Sequence, residues 1–218
     1  MACFCHGMAP RSEFTLMKGG AAGISERIFS QSRVMRYFAI SLLLFYTLPG
    51  LSDQIVDCKA WPNLLKHSCE RAKQIINYGQ PELYLTGYSW HNRLTYSQTH
   101  LNRFNEAAWG GGFGKGLYDE NGDWHGFASF VFLDSHKYPE PILGYAFIKM
   151  LHLNEDTRLG AGYSFLVTER PDVWRGRPFP GILPWVYLSY SHVTICSTYI
   201  PGRIGIGNVL FTYIKWTF

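Results

Sequence analysis

From residue 83 to the end of the chain the apolar positions recur every second residue, and a period of two predicts strands. Eight runs qualify: 83–96, 109–118, 124–133, 141–151, 157–168, 181–190, 192–200 and 208–217. In several of them the alternation sorts by size. Leu143, Tyr145 and Phe147 share one face of the fourth run, opposite Gly144 and Ala146. Leu159, Tyr163 and Phe165 oppose Gly160, Gly162 and Ser164 in the fifth, and Val193, Ile195 and Tyr199 oppose Thr194, Cys196 and Thr198 in the seventh. Bulk on the outside with small, uncharged residues on the inside inverts the soluble barrel and suits a wall that faces lipid. The connections alternate between long ones (97–108, 134–140, 169–180, 201–207) and short ones (119–123, 152–156, near 191), with a hairpin signal at Asn121-Gly122. Long outer loops with short turns on the other side are the pattern of an eight-stranded antiparallel transmembrane β-barrel. Eight strands make a narrow barrel that holds side chains or one slim ligand. An interior of Gly, Ala, Ser and Thr points to a slot for an acyl chain, and the absence of inward charge in those runs argues against a porin.

Upstream the period changes to that of a helix. Trp61, Leu64, Leu65, Ser68, Cys69, Ala72, Ile75 and Ile76 fall on one side, and Asn63, Lys66, His67, Glu70 and Lys73 on the other. Pro62 suits the first turn and Gly79-Gln80-Pro81 the stop. Such an amphipathic helix lies at a membrane interface or packs on a core. Further upstream, Arg33 and Arg36 precede the apolar stretch Tyr37–Leu48, then Pro49, Gly50 and Ser52, which has the form of a secretory signal. Residues 1–32 precede any normal signal, with Met17 and Met35 as alternative starts. The expected organisation is a leader over 1–52, a periplasmic-side amphipathic helix over 53–80 and the barrel over 81–218.

Charge narrows the partners. Residues 1–52 hold five Lys/Arg and two acidic residues, so of the 20 and 16 in the chain 15 and 14 remain, without a basic run. A nucleic-acid partner is therefore not expected. No CxxC or His/Cys ligand spacing occurs, so a structural metal is not indicated. Cys58 and Cys69 stand eleven positions apart, about 16 Å on one straight helix, and are not expected to bridge.

Two constellations invite chemistry. Gly110-Gly111-Gly112-Phe113-Gly114-Lys115-Gly116 lacks the Lys-Ser/Thr ending and the helix of a phosphate loop. Gly110, Gly112, Gly114 and Gly116 instead clear one face of a strand for the close approach of a ligand or of backbone. The second is His91 with Asp134 and Ser135. Antiparallel topology brings them to one end of the barrel, where a His, an Asp and a Ser suggest a hydrolase-like triad. Neighbours in extended chain point apart, so Asp134 and Ser135 both face His91 only if the backbone bends.

Trp90-His91-Asn92-Arg93, Arg103-Phe104-Asn105-Glu106 with Trp109–Gly114, Asn121–Gly126, Asp134-Ser135 and Tyr199-Ile200-Pro201-Gly202 together resemble the PagP family of outer-membrane phospholipid:lipid A palmitoyltransferases. The resemblance runs from about Trp61 to Phe218. It implies an eight-stranded barrel in the bacterial outer membrane with an amphipathic helix outside it. It also implies a glycerophospholipid acyl donor, lipid A as acceptor and no cofactor, the protein being a monomer or a homodimer. The family's catalytic residues fall on His91, Asp134 and Ser135. Its lateral gate for the donor is matched by Pro184 and Pro201, while prolines flanking a second gap are replaced by Thr86 and Ala108. Its acyl well has its floor at Ala146, usually glycine, with Gly144, Gly112 and Gly114 on the inner faces. His91 is then the expected general base, with Asp134 fixing its tautomer. A phospholipase that gives the acyl chain to water and a non-enzymatic lipid-binding barrel are the alternatives.

Overall fold

The computed structural model describes residues 58–60, 62–171, 173–204 and 207–218. The expected leader and alternative starts lie outside them, as does Trp61. Eight antiparallel strands close on themselves in sequence order: β1 (Gln80–His91), β2 (Gly110–Tyr118), β3 (Trp124–Leu133), β4 (Pro139–His152), β5 (Thr157–Thr168), β6 (Phe179–Tyr190), β7 (Val193–Ile200) and β8 (Val209–Thr217). β1 pairs with β8 from Glu82↔Thr217 to His91↔Val209, and this seam shuts the barrel. The expected β1 runs five residues too far. Beyond His91 the Asn92 carboxamide accepts the Leu94 amide, and the chain turns away from the sheet.

A helix, α1 (Asn63–Tyr78), precedes β1 and packs against β2 and β3. The Pro62 carbonyl accepts the Leu65 and Lys66 amides, and the Gly79 amide closes the last turn on the Ile75 carbonyl. At that C-terminal end Lys115 Nζ reaches up from β2 to the Ile76 carbonyl at 2.8 Å, a cation meeting an unpaired helix-end acceptor. Arg71 pairs with Glu120 at 3.1 Å and approaches Asp119 at 3.8 Å in the β2–β3 turn. Ile75 and Cys69 are buried, whereas Leu65 stays exposed.

Cys58 and Cys69 are joined by a disulfide, with Cα atoms 5.7 Å apart. This corrects the expectation that they do not bridge. Cys58 sits in a separate 3-10 turn, Cys58–Ala60, and α1 begins only after Pro62. The chain therefore folds back on the helix instead of extending along it.

The outer wall is apolar, as the alternation predicts: Leu143, Phe165, Ile182, Leu188, Ile195 and Trp216 stand exposed. The interior departs from expectation twice. First, it is not made only of small residues. The inner faces of β2 and β7 are small, β4 and β5 mix Gly144, Ala146, Gly160, Gly162 and Ser164 with Ile142, Ile148, Met150 and Leu166, and β1, β3, β6 and β8 point Tyr84, Phe130, Trp185, Tyr187, Phe211 and Tyr213 inward. A narrow barrel with small walls on one set of strands is filled from the others. A Cβ on Gly114 would stand 2.8 Å from the Tyr84 ring, and one on Gly112 would run into Phe130. Both glycines let the β3 backbone come close, and Gly114 also makes room for the Tyr84 ring. Second, the interior is charged: Lys215 Nζ lies 2.7 Å from Glu82 Oε1, both sealed inside. Glu82 also accepts from Tyr84 Oη at 2.7 Å and Trp124 Nε1 at 3.2 Å, so the buried carboxylate is fully occupied.

Candidate active site

His91 ends β1 pointing inward, and it does so because of a bulge. Below Gly87 the buried residues of β1 are Glu82, Tyr84 and Thr86; above it they are Ser89 and His91. The register against β8 slips between Thr86 and Tyr88, and the extra residue exchanges the two faces of the strand. Without it, His91 would point outward.

Its partners come from two long loops. Ser135 Oγ lies 2.8 Å from His91 Nε2. Glu106, in the loop from 92 to 109, takes the other side. Its Oε1 accepts the His91 backbone amide at 3.0 Å and lies 3.3 Å from Nδ1. Arg93 holds both Glu106 oxygens, at 2.5 and 2.7 Å. The guanidinium, with the His91 amide adding to it, holds the Glu106 carboxyl at about 2, far below its ordinary value. An ionised carboxylate there favours the proton on Nδ1, which leaves Nε2 to accept from the Ser135 hydroxyl. Phe104 stacks on the imidazole with centroids 4.6 Å apart, and Tyr96 meets its edge at 5.5 Å.

Asp134, expected to fix the His91 tautomer, makes its hydrogen bonds elsewhere. Its Oδ1 accepts the His136 and Tyr138 amides at 2.8 and 2.7 Å, and no hydrogen bond joins it to His91. It pins the tight turn from which Ser135 projects. The backbone does bend there, with the Lys137 amide bonded to the Asp134 carbonyl. The two loops are tied together, since the Asn105 amide donates to the Ser135 carbonyl at 2.8 Å. Glu106 and Phe104 had one sequence signal, the Arg103–Glu106 segment, but nothing in periodicity reveals that this loop reaches His91. The loop also carries a short helix, α2 (Gln98–Leu101), that alternation does not show.

The seams on either side of the site differ. Pairing between β6 and β7 runs from Tyr190↔Val193 only to Val186↔Ser197, so Pro184 and Pro201 stand beyond the ladder's end. The Thr198 hydroxyl still reaches the Pro184 carbonyl. Between β1 and β2 the ladder also stops short, at Thr86↔Gly110. There the Thr86 hydroxyl donates to the Ala108 carbonyl at 2.7 Å and the Ser89 amide to the Glu106 carbonyl at 2.9 Å, which stitches the gap. Ala146 faces inward between Gly126 and Ser164 and packs against the interior cluster; Gly144 lies one inward position nearer the mouth, backed by Leu166.

The chain is similar over most of its length to known proteins. Residues 71–215 match the family described as "Antimicrobial peptide resistance and lipid A acylation protein PagP". A protein of Bordetella pertussis named "Lipid A acyltransferase PagP" is 50% identical over 176 residues, 81% of this chain and 96% of its own. Proteins of the same name from Bordetella bronchiseptica (52%, over 84% of this chain and 99% of its own) and Legionella pneumophila (51%, over 71% and 82%) are similar to it. A match over most of the barrel, at half identity, settles the kinship: the chain belongs to the PagP family.

Proposed function

We propose that the protein is an acyltransferase of the bacterial outer membrane that moves a palmitoyl or similar chain from a glycerophospholipid to lipid A. The observation that carries the reading is the 2.8 Å contact of His91 with Ser135, backed by Glu106, at the mouth of a barrel with an apolar exterior. Its relatives are named lipid A acyltransferases.

In this reading His91 Nε2 takes the proton of the attacking hydroxyl as that oxygen forms the new ester. The donor's ester C–O bond breaks, and the proton passes from the imidazolium to the departing lysophospholipid oxygen. Glu106 holds the tautomer and steadies the imidazolium, and Asp134 shapes the turn that presents Ser135. The donor's tail lies among Gly144, Ala146 and the β2 glycines Gly112 and Gly114, and it enters where the β6–β7 ladder ends, between Pro184 and Pro201. Burial of the tail contributes about 0.8 kcal/mol per CH₂. A second reading, in which Ser135 is acylated first, is favoured by the same 2.8 Å contact; mass spectrometry of quenched enzyme distinguishes the two.

Mass spectrometry of lipid A from cells with and without the protein is the direct test, and an added acyl chain is expected only with it. His91→Ala should abolish the product while the barrel still folds. Full activity in that variant, or release of free fatty acid with lipid A left unchanged, would sink the proposal.

A further inference from the structure

The strand topology gathers the four long loops (92–109, 134–138, 169–178 and 201–208) at the end where His91 lies. Those loops carry seven Lys/Arg against four carboxylates, and the opposite short turns (119–123, 153–156, 191–192) carry five carboxylates and no Lys or Arg. Arg103, Lys137, Arg175, Arg177 and Arg203, at least one from each loop, are exposed. Among the described residues none of the five forms an ion pair. Two mouth carboxylates are already engaged, Glu106 by Arg93 and Asp134 by its own turn. Glu169 and Asp172 are the other two carboxylates in the sequence of these loops, and seven cations against four give the rim its positive excess. Each loop also presents an exposed apolar side chain: Trp109, Tyr138, Trp174 and Ile204.

A rim of unpaired cations interleaved with rings is built for an anionic amphiphile with several charges spread across it. Lone phosphodiesters need one or two of these groups. A phosphorylated disaccharide can engage several loops at once. We infer that Arg175, Arg177 and Arg203, with Lys137 and Arg103 around the rim, bind the phosphate groups of the acceptor and so set its position over His91. This rests on lipid A being the acceptor. The third and fourth loops flank the outer end of the β6–β7 seam, so the anchored acceptor lies beside the point of donor entry.

The test uses purified full-length protein in detergent micelles with bisphosphorylated lipid A and the same lipid after enzymatic removal of its phosphates. Arg175→Ala/Arg177→Ala/Arg203→Ala should raise KM for the phosphorylated acceptor at least tenfold and leave kcat within about twofold. KM for the dephosphorylated acceptor should be high in the parent protein and unchanged by the substitutions. Salt should weaken binding of the phosphorylated form only, because exposed charges are screened over a Debye length of about 10 Å at 0.1 M. An unchanged KM, an equal rise for both acceptors, or a defect that follows a change from zwitterionic to anionic donor would each overturn the assignment. Binding of both lipids to the His91→Ala protein, read by intrinsic tryptophan fluorescence, needs no turnover. Phosphate-dependent binding there, without transfer by the parent protein, would reject the catalytic reading and keep this one; phosphate-independent binding would do the reverse.

Discussion

Lys215 and Glu82 meet at 2.7 Å inside the barrel, with Lys215 Nζ also 3.8 Å from the centre of the Trp124 ring. Removing one charge leaves the other buried and unanswered. Lys215→Met should therefore cost about 3–5 kcal/mol in denaturant unfolding from micelles. Glu82→Gln added to it keeps an acceptor for Tyr84 and Trp124 and should return most of that loss. A single variant as stable as the parent would show that the pair is not a structural tie.

Glu106 is expected to be the residue that orients His91. Glu106→Gln should lower kcat on the order of 10²–10⁴-fold while KM moves little, as when a triad loses its tautomer control. Asp134→Asn should instead loosen residues 134–138 in hydrogen exchange. If Asp134→Asn proves the more damaging to kcat with that turn still protected, the roles assigned to the two carboxylates must be exchanged.

The Glu106 carboxyl titrates at about 2 in the folded protein against an ordinary 4.5. A depressed value means that its contribution is complete above about 4.5 and is lost as pH falls through about 2. Amide protection of the 97–109 loop should thus hold from pH 7 to 4.5 and fail only at lower pH. Protection lost already between pH 7 and 5 would place control of the loop in another group.

The Cys58–Cys69 bridge joins positions eleven apart, for which the chain-entropy model gives about 3 kcal/mol. Cys69→Ser, or reduction, should expose the segment around α1 to protease while the barrel keeps its resistance. Unaltered cleavage in that segment would mean that Arg71 and Lys115 suffice to hold the helix.

Ala146 faces inward against the interior cluster, and in the proposed reading its methyl shortens the acyl well. Ala146→Gly should shift preference toward a donor one or two methylenes longer, about fourfold per CH₂ at ~0.8 kcal/mol each. Product distributions from mixed-chain donors decide it. An unchanged distribution would remove Ala146 from the floor.

Strand positions are legible in this sequence because a wall with an apolar outer face must alternate, and the runs at 124–133 and 157–168 coincide with β3 and β5. What a strand holds on its inner face is less legible. Tyr84 and Tyr213 are as aromatic as the outward Tyr163, and only the closed register shows which way each points. The bulge beside Gly87 is invisible to a period of two, yet it turns His91 inward. Glu106 escapes for a related reason, because a loop's reach over the mouth depends on its hydrogen bonds to Ser89, His91 and Ser135, not on any repeat. Cys58 fails differently: one straight helix is the wrong geometry for a chain that reverses at Pro62.

The first strand finds its second neighbour only in the last one, since β1 is bonded to β8 along nearly its whole length. Until β8 arrives, β1 and β7 each present a row of bare amides and carbonyls, a template for sticking to any passing strand. Closure of the sheet accordingly waits on the part of the chain that is made last. Through that interval these two edges are where the chain is most open to a wrong partner.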